Sequence, residues 1–292
     1  MKKISLILTL ALVFSLLAGC GNTAPQAQVA ATTLPVYTFT SQILDGTDIS
    51  VTRLVTEQVS CLHDYTLNTN QVRAAESAQV IVISGAGLED FLGDLLDSDK
   101  IIDASQGLTL LPASGHHHEE GEHHHAHLED PHIWLSPANA RIMAQNICSG
   151  LSARYPQQKE RMEQNLQGLL TQLDELQAYG EESLRDLSCR ELVTFHDGFA
   201  YLAQAFDLTI LRSIEEEHGS EASAKDLGEL ITLVQQHKLP AIFTEQNGSD
   251  AAASVIASET GANIYALTTG MSGDDYFTAM RQNIETLKEA LK

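Results

Sequence analysis

The chain has 292 residues, room for about two domains at ~100–200 residues each, and its 43% hydrophobic content excludes wholesale disorder. Its formal charge of −22 argues against nucleic acid and anionic membrane surfaces as partners, because both would repel it. That acidity suits a protein that handles cations, although solubility alone would account for it equally well.

The amino terminus reads as an export signal over residues 1–19. Lys2 and Lys3 precede an apolar run, residues 4–18, broken only by Thr9 and Ser15. The run falls short of the ~20 apolar residues of a transmembrane helix and has the charged-then-apolar form of a secretory signal. It ends in Leu17-Ala18-Gly19-Cys20, which resembles the bacterial lipoprotein signal box. That resemblance implies lipidation of Cys20 and attachment to the membrane by the lipid alone. Residues 20–30 then have the composition of a flexible tether. The later cysteines, Cys61, Cys148 and Cys189, lack C-x-x-C spacing, so a thiolate zinc knuckle is not expected and any disulfide pairing stays open.

From residue 31 the pattern alternates strand and helix. Residues 51–55 and 80–84 are short β-branched runs of the kind found in buried parallel strands, with helices expected at 71–78 and 88–96. A low-complexity insert over 115–128 contains His116, His117, His118, His123, His124, His125 and His127; it has no apolar stripe and is expected to be disordered. Beyond Pro156, the residues Met162, Leu166, Leu169, Leu173 and Leu176 recur at steps of four and three, one apolar stripe on a long helix. A helix that long between two α/β halves reads as a strut. The second half restarts the alternation, with strands at 192–195, 208–211, 241–244 and 263–267 and helices at 198–206, 224–237, 251–260 and 276–291. The expected fold is therefore α/β: an N-terminal lobe (31–155) and a C-terminal lobe (188–292), each a mainly parallel sheet flanked by helices, joined by one long rigid helix (156–187). No G-x-S-x-G, no G-x-x-x-x-G-K-[ST] and no H-E-x-x-H occurs.

Chemistry concentrates in the twelve histidines. Neutral imidazole is a preferred zinc ligand, and three imidazoles leave one coordination position open. His196 directly follows the strand 192–195, and Glu245 directly follows the strand 241–244. Ligands of open α/β sheets lie outside the carboxyl ends of strands, so both residues are placed to face one crevice. Taken by spacing alone, His196 is equally compatible with a helix-capping role. His132 sits between two prolines in Asp130-Pro131-His132-Ile133-Trp134-Leu135-Ser136-Pro137, and His63 lies between a strand and a helix. Each would, on its own, be an ordinary loop histidine. His218 and His237 are expected to be structural.

The passages DPHIWLSP (130–137), TFHDGFAYL (194–202) and IFTE (242–245), in this order around a long helix, resemble the zinc and manganese solute-binding proteins of bacterial ABC importers. The likeness extends from about Ala30 to Lys292. It implies two α/β lobes with a metal between them, and it carries the ligand roles onto His63, His132 and His196. The fourth ligand stays open among Glu245, water, Asp274 or Asp275, and more remotely Cys61. Three imidazoles imply Zn2+ over manganese, which prefers oxygen-rich sites. The His-rich insert resembles the loop of zinc-specific members and implies weak auxiliary binding. The implied function is capture of Zn2+ outside the cell by a monomeric, lipid-anchored protein that is not an enzyme and that delivers its ion to an ABC importer permease. The competing readings are a manganese carrier of the same family, a zinc-dependent extracellular hydrolase with Glu245 as general base, and a surface adhesin.

Overall fold

A computed structural model of the chain describes residues 27–57, 62, 65–97, 99–113, 129–215, 223–246, 248, 250–271 and 273–292. Alternation along the strands explains its layering. In β1 (Val29–Ala31) and β3 (Val80–Ile83), the residues Val29, Ala31, Val80 and Val82 enter one hydrophobic core, while Ala30, Ile81 and Ile83 enter another. The same period of two governs β5 (Glu191–His196) and β7 (Ala241–Glu245): Leu192, Ala241 and Phe243 face the first core, and Val193, Phe195 and Ile242 face a third. The first core is thus common to both lobes, and each sheet has a second apolar face covered within its own lobe.

The two four-stranded sheets are parallel and share one connectivity. With β2 (Val51–Arg53) and β4 (Ile101–Asp103) the first has the order β2-β1-β3-β4; with β6 (Thr209–Glu215) and β8 (Asn263–Leu267) the second has β6-β5-β7-β8. In the first lobe α1 (Leu34–Ile43) follows β1 and α2 (Thr69–Ser77) follows β2, the latter opened by a capping box between Asn68 and Gln71. The helix expected over 88–96 is instead a 3-10 run, Asp90–Asp97, broken at Gly93, whose φ of 53° no α-helix accommodates. Strand β1 opens at Val29, inside the segment expected to be a tether. In the second lobe, α5 (Ala200–Ala205), α6 (Ala224–His237), α7 (Ala251–Thr260) and α8 (Tyr276–Leu291) alternate with the strands as expected. Strand β6 runs on to Glu215, beyond its expected end at 211.

Between the lobes, α3 (Pro137–Arg154) packs along α4 (Lys159–Ser183), which at ~1.5 Å per residue is about 37 Å long. Met162, Leu169, Leu173 and Leu176 are buried along α4 as the stripe requires, with Leu166 only half-buried. Its first half is tied to the N-terminal lobe by Asn165, whose Nδ2 donates to the Ile43 and Asp45 carbonyls at 2.9 and 2.8 Å. Its second half packs on α8, where the Arg281 guanidinium lies 4.8 Å from the centre of the Tyr179 ring. Gly180 lets Phe206 approach, since a Cβ there would stand 2.1 Å from the Phe206 ring. The expected strut is therefore present, ending at Ser183, four residues short of the expected 187. Among the described residues no helix is long and apolar enough to cross a membrane, and Cys148 and Cys189 are free thiols.

Candidate metal centre

Register in the second sheet brings two of the expected residues together. Thr194 of β5 pairs in parallel with Phe243 of β7, so His196 and Glu245, each two residues further on, end neighbouring strands. Both share the parity of Leu192, Ala241 and Phe243, the residues facing the common core. They stand where the strand order reverses, at the crevice that open α/β sheets offer to ligands. His196 is 6% exposed, and its Nδ1 lies 3.7 Å from Glu245 Oε2.

His132 arrives from the other side of the common core, on the segment between β4 and α3. Asp130 and His132 are both buried. One carboxylate oxygen of Asp130 accepts the His132 backbone N–H at 2.9 Å and lies 2.8 Å from His132 Nδ1. A carboxylate at Nδ1 holds the proton there and leaves Nε2 as the bare nitrogen. That Nε2 faces His196 Nε2 at 3.2 Å, the two rings being nearly perpendicular at 85°. Two nitrogens bound at 2.0–2.1 Å to one tetrahedral zinc ion would stand about 3.3 Å apart, so the pair has the spacing of two ligands of one ion.

The loop that carries His132 is held mainly by the C-terminal lobe. Tyr201 Oη donates to the Asp130 carbonyl at 3.0 Å and accepts the Leu111 N–H at 2.8 Å. Trp134 Nε1 donates to the Thr269 carbonyl at 2.7 Å, and Tyr276 Oη donates to the Trp134 carbonyl at 2.8 Å. Burial pushes the Tyr201 phenol up to about 12 and the Tyr276 phenol higher still, so both remain protonated donors at any physiological pH. Gly198 completes the fit. A Cβ at this position would lie 2.5 Å from His196 Nε2 and 2.8 Å from His132 Cε1, wedging the two imidazoles apart.

The structure therefore gathers His132, His196 and Glu245. His63, Cys61, Cys20, His218 and the seven insert histidines lie outside the described residues. Among the described residues no group of three or more His, Cys, Asp and Glu side chains is arranged to hold a metal ion. Of the alternative oxygen donors, Asp275 caps α8 by accepting from the Thr278 N–H at 2.9 Å, and Asp274 is exposed. His237 is taken up by Glu191 at 2.9 Å, as a structural histidine should be. Asp130 and Gly198 are not among the functional residues expected from the sequence. The carboxylate two positions before a buried histidine was a readable signal, whereas the need for glycine at 198 exists only once the two rings are in place.

The sequence model described as zinc-uptake complex component A, periplasmic, matches residues 29–290. The zinc-binding lipoprotein AdcA of Streptococcus pneumoniae strain R6 is 30% identical, over 99% of this chain and 61% of its own length. The high-affinity zinc uptake system protein ZnuA of Bacillus subtilis is 29% identical, over 99% of this chain and 98% of its own. The chain thus spans about three fifths of the AdcA relative and nearly all of the ZnuA one. Among solved structures, a ZnuA crystal structure superposes with a TM-score of 0.77 at 26% identity, covering 90% of this chain and 99% of that one. The Zn(II)-bound ZnuA-like domain of Streptococcus pneumoniae AdcA gives 0.75 at 28% identity, covering 91% and 99%. With the lobes, the strut and the facing imidazoles all in place, the chain belongs to the zinc-uptake complex component A family.

Proposed function

We propose that this protein captures Zn2+ outside the cell and delivers it to an ABC-type membrane importer, with His63, His132 and His196 as ligands. The observation that carries the reading is the pair of buried Nε2 atoms 3.2 Å apart, supplied by opposite sides of the common core and aimed at each other. Zinc is cargo here, so the site needs affinity and a release route, and no catalytic step is assigned to it. Imidazole nitrogens favour zinc over manganese. The names of the relatives, zinc-binding lipoprotein and zinc uptake system protein, support the same cargo and compartment. Cys20 is the proposed point of lipid attachment, the protein acts as a monomer, and the permease is its membrane partner. The histidines of the insert, His116 to His118, His123 to His125 and His127, form a second, weaker store of the ion.

Calorimetry with elemental analysis tests both levels. One tightly held zinc per chain is expected. His196→Ala should weaken it by more than the ~10–100-fold typical of losing an outer-shell partner, with the far-ultraviolet dichroism unchanged. Deleting residues 115–127 should leave the tight ion and abolish weaker binding. An unchanged dissociation constant in His196→Ala would remove that residue from the site.

A further inference from the structure

We propose that Glu245 is a positioning residue that orients His196 from behind and is not itself a ligand of the ion; the inference rests on the zinc reading above. Its basis is which nitrogen of His196 meets which neighbour. Nε2 faces His132 Nε2 at 3.2 Å, whereas it is Nδ1 that lies 3.7 Å from Glu245 Oε2. An imidazole presents its two nitrogens in divergent directions, so an ion held between the two Nε2 atoms has the His196 ring between itself and that oxygen.

The other half of the site is built the same way. Asp130 stands at Nδ1 of His132 as Glu245 stands at Nδ1 of His196, so each ring meets the ion by Nε2 and is backed at Nδ1 by a carboxylate. Asp130 is bonded at 2.8 Å; the Glu245 contact of 3.7 Å is an ion-pair distance, roughly half an ångström beyond a hydrogen bond. A small closure as the ion pulls the His196 ring into place would complete that bond.

Two consequences make the arrangement useful. With a proton on each Nδ1, both Nε2 atoms turn their lone pairs toward one another, an arrangement that a shared cation stabilises. The second consequence is charge balance. His132 and His196 are 0% and 6% exposed, and a divalent ion beside neutral imidazoles in such a place is costly unless opposite charge lies near. Asp130 and Glu245 each place one negative charge a ring's width away. Glu245 can do this because strand register fixes it beside His196 on the same face of the sheet. Gly198, with room for no side chain beside the rings, keeps the space in front of the two Nε2 atoms open.

The test compares Glu245→Gln and Glu245→Leu with the unaltered protein, using competition with a chromophoric zinc chelator and crystal structures of the zinc-loaded forms. Glutamine keeps an oxygen that can accept the Nδ1 proton but carries no charge; leucine keeps neither. The expected result is a graded loss of affinity, within the ~10–100-fold of an outer-shell partner for Gln and larger for Leu. In the zinc-loaded unaltered protein, both Nε2 atoms should bond the ion and Glu245 should stand beyond bonding distance. In zinc-loaded Glu245→Gln the same inner ligands should remain. A Glu245 oxygen at ~2.0–2.2 Å from zinc would make it a ligand and overturn the proposal while leaving zinc capture intact. An unchanged affinity in both variants would overturn it as well. Failure of the unaltered protein to bind zinc would instead remove the functional reading on which the proposal stands.

Discussion

The two lobes repeat one strand order but use the same point of it in opposite ways. In the C-terminal lobe the crevice between β5 and β7 ends in His196 and Glu245, turned toward the common core and His132. In the N-terminal lobe the equivalent crevice, between β1 and β3, is filled by Glu89. That carboxylate is 1% exposed and accepts from Thr32 Oγ1 at 2.7 Å, the Ser84 N–H at 2.7 Å and the Gly85 N–H at 3.0 Å. Positive φ angles at Gly85, Ala86 and Gly87 turn the chain sharply back after β3 and bring Glu89 onto the strand ends. One lobe ends its topological switch point in His196 and Glu245; the other closes that point on itself through Glu89. With that crevice closed, the imidazole that meets His196 comes from the connection between β4 and α3, as His132.

The comparison breaks most visibly if Glu89 is removed. Glu89→Ala orphans two buried N–H groups and one hydroxyl, at ~1–3 kcal/mol each when unsatisfied, so a loss on the order of 3 kcal/mol or more is expected in denaturant unfolding. Zinc affinity should change by no more than a few-fold, because Glu89 serves the closed crevice and not the ion. A collapse of affinity with little loss of stability would reverse the roles assigned to the two crevices.

A smaller effect is expected where the lobes are tied. Trp134→Phe keeps most of the buried ring but loses the 2.7 Å hydrogen bond from Nε1 to the Thr269 carbonyl, worth about 0.5–1.5 kcal/mol. Because the loop also carries His132, zinc should dissociate faster, by less than in His196→Ala. Stopped-flow release into a chelator, read beside a melting curve, checks both. Lower stability with unchanged release would mean that the ties from Tyr201 and Tyr276 position His132 without help from Trp134.

How far the sequence foretold this depends on the range of each interaction. The βα alternation of the C-terminal lobe was legible because each strand is a continuous apolar run buried on both faces, as in Leu192 to Phe195. His196 and Glu245 were legible for the same reason: each directly follows such a run, and the carboxyl ends of parallel strands are where ligands go. The register that sets them level was not, since it depends on Thr194 pairing with Phe243, which no local pattern encodes. In the N-terminal lobe β1 has three residues, two of them alanine, too short and small for a periodic signal, and its first two fall in the stretch whose composition suits a tether. The run 88–96 has helical spacing, but Gly93 takes a conformation that ends the helix. His132 entered through a family likeness. Its orientation by Asp130 follows from local chemistry, while Gly198 matters only through atoms that folding brings within 3 Å.

The subtlest expected signal is a slope with pH. Burial, reinforced by the nearby Asp103 charge, raises the Glu89 carboxyl from its ordinary 4.5 to about 7, against the pull of its three donors. Below pH 4.5 folded and unfolded chains both hold the proton, and the full stabilising contribution is present. Between 4.5 and about 7 the unfolded chain releases a proton that the folded chain retains, so rising pH favours unfolding, by at most about 1.4 kcal/mol per pH unit. Above that range the loss is complete and the slope vanishes. Glu89→Gln cannot titrate, and although its amide mismatches one backbone N–H, that cost is the same at every pH. Subtracting its stability profile from that of the unaltered protein cancels the other acidic groups and should leave a fall confined to this window. Parallel profiles would mean that three hydrogen bonds to the carboxylate outweigh its desolvation, and that the N-terminal crevice is closed by a charge throughout.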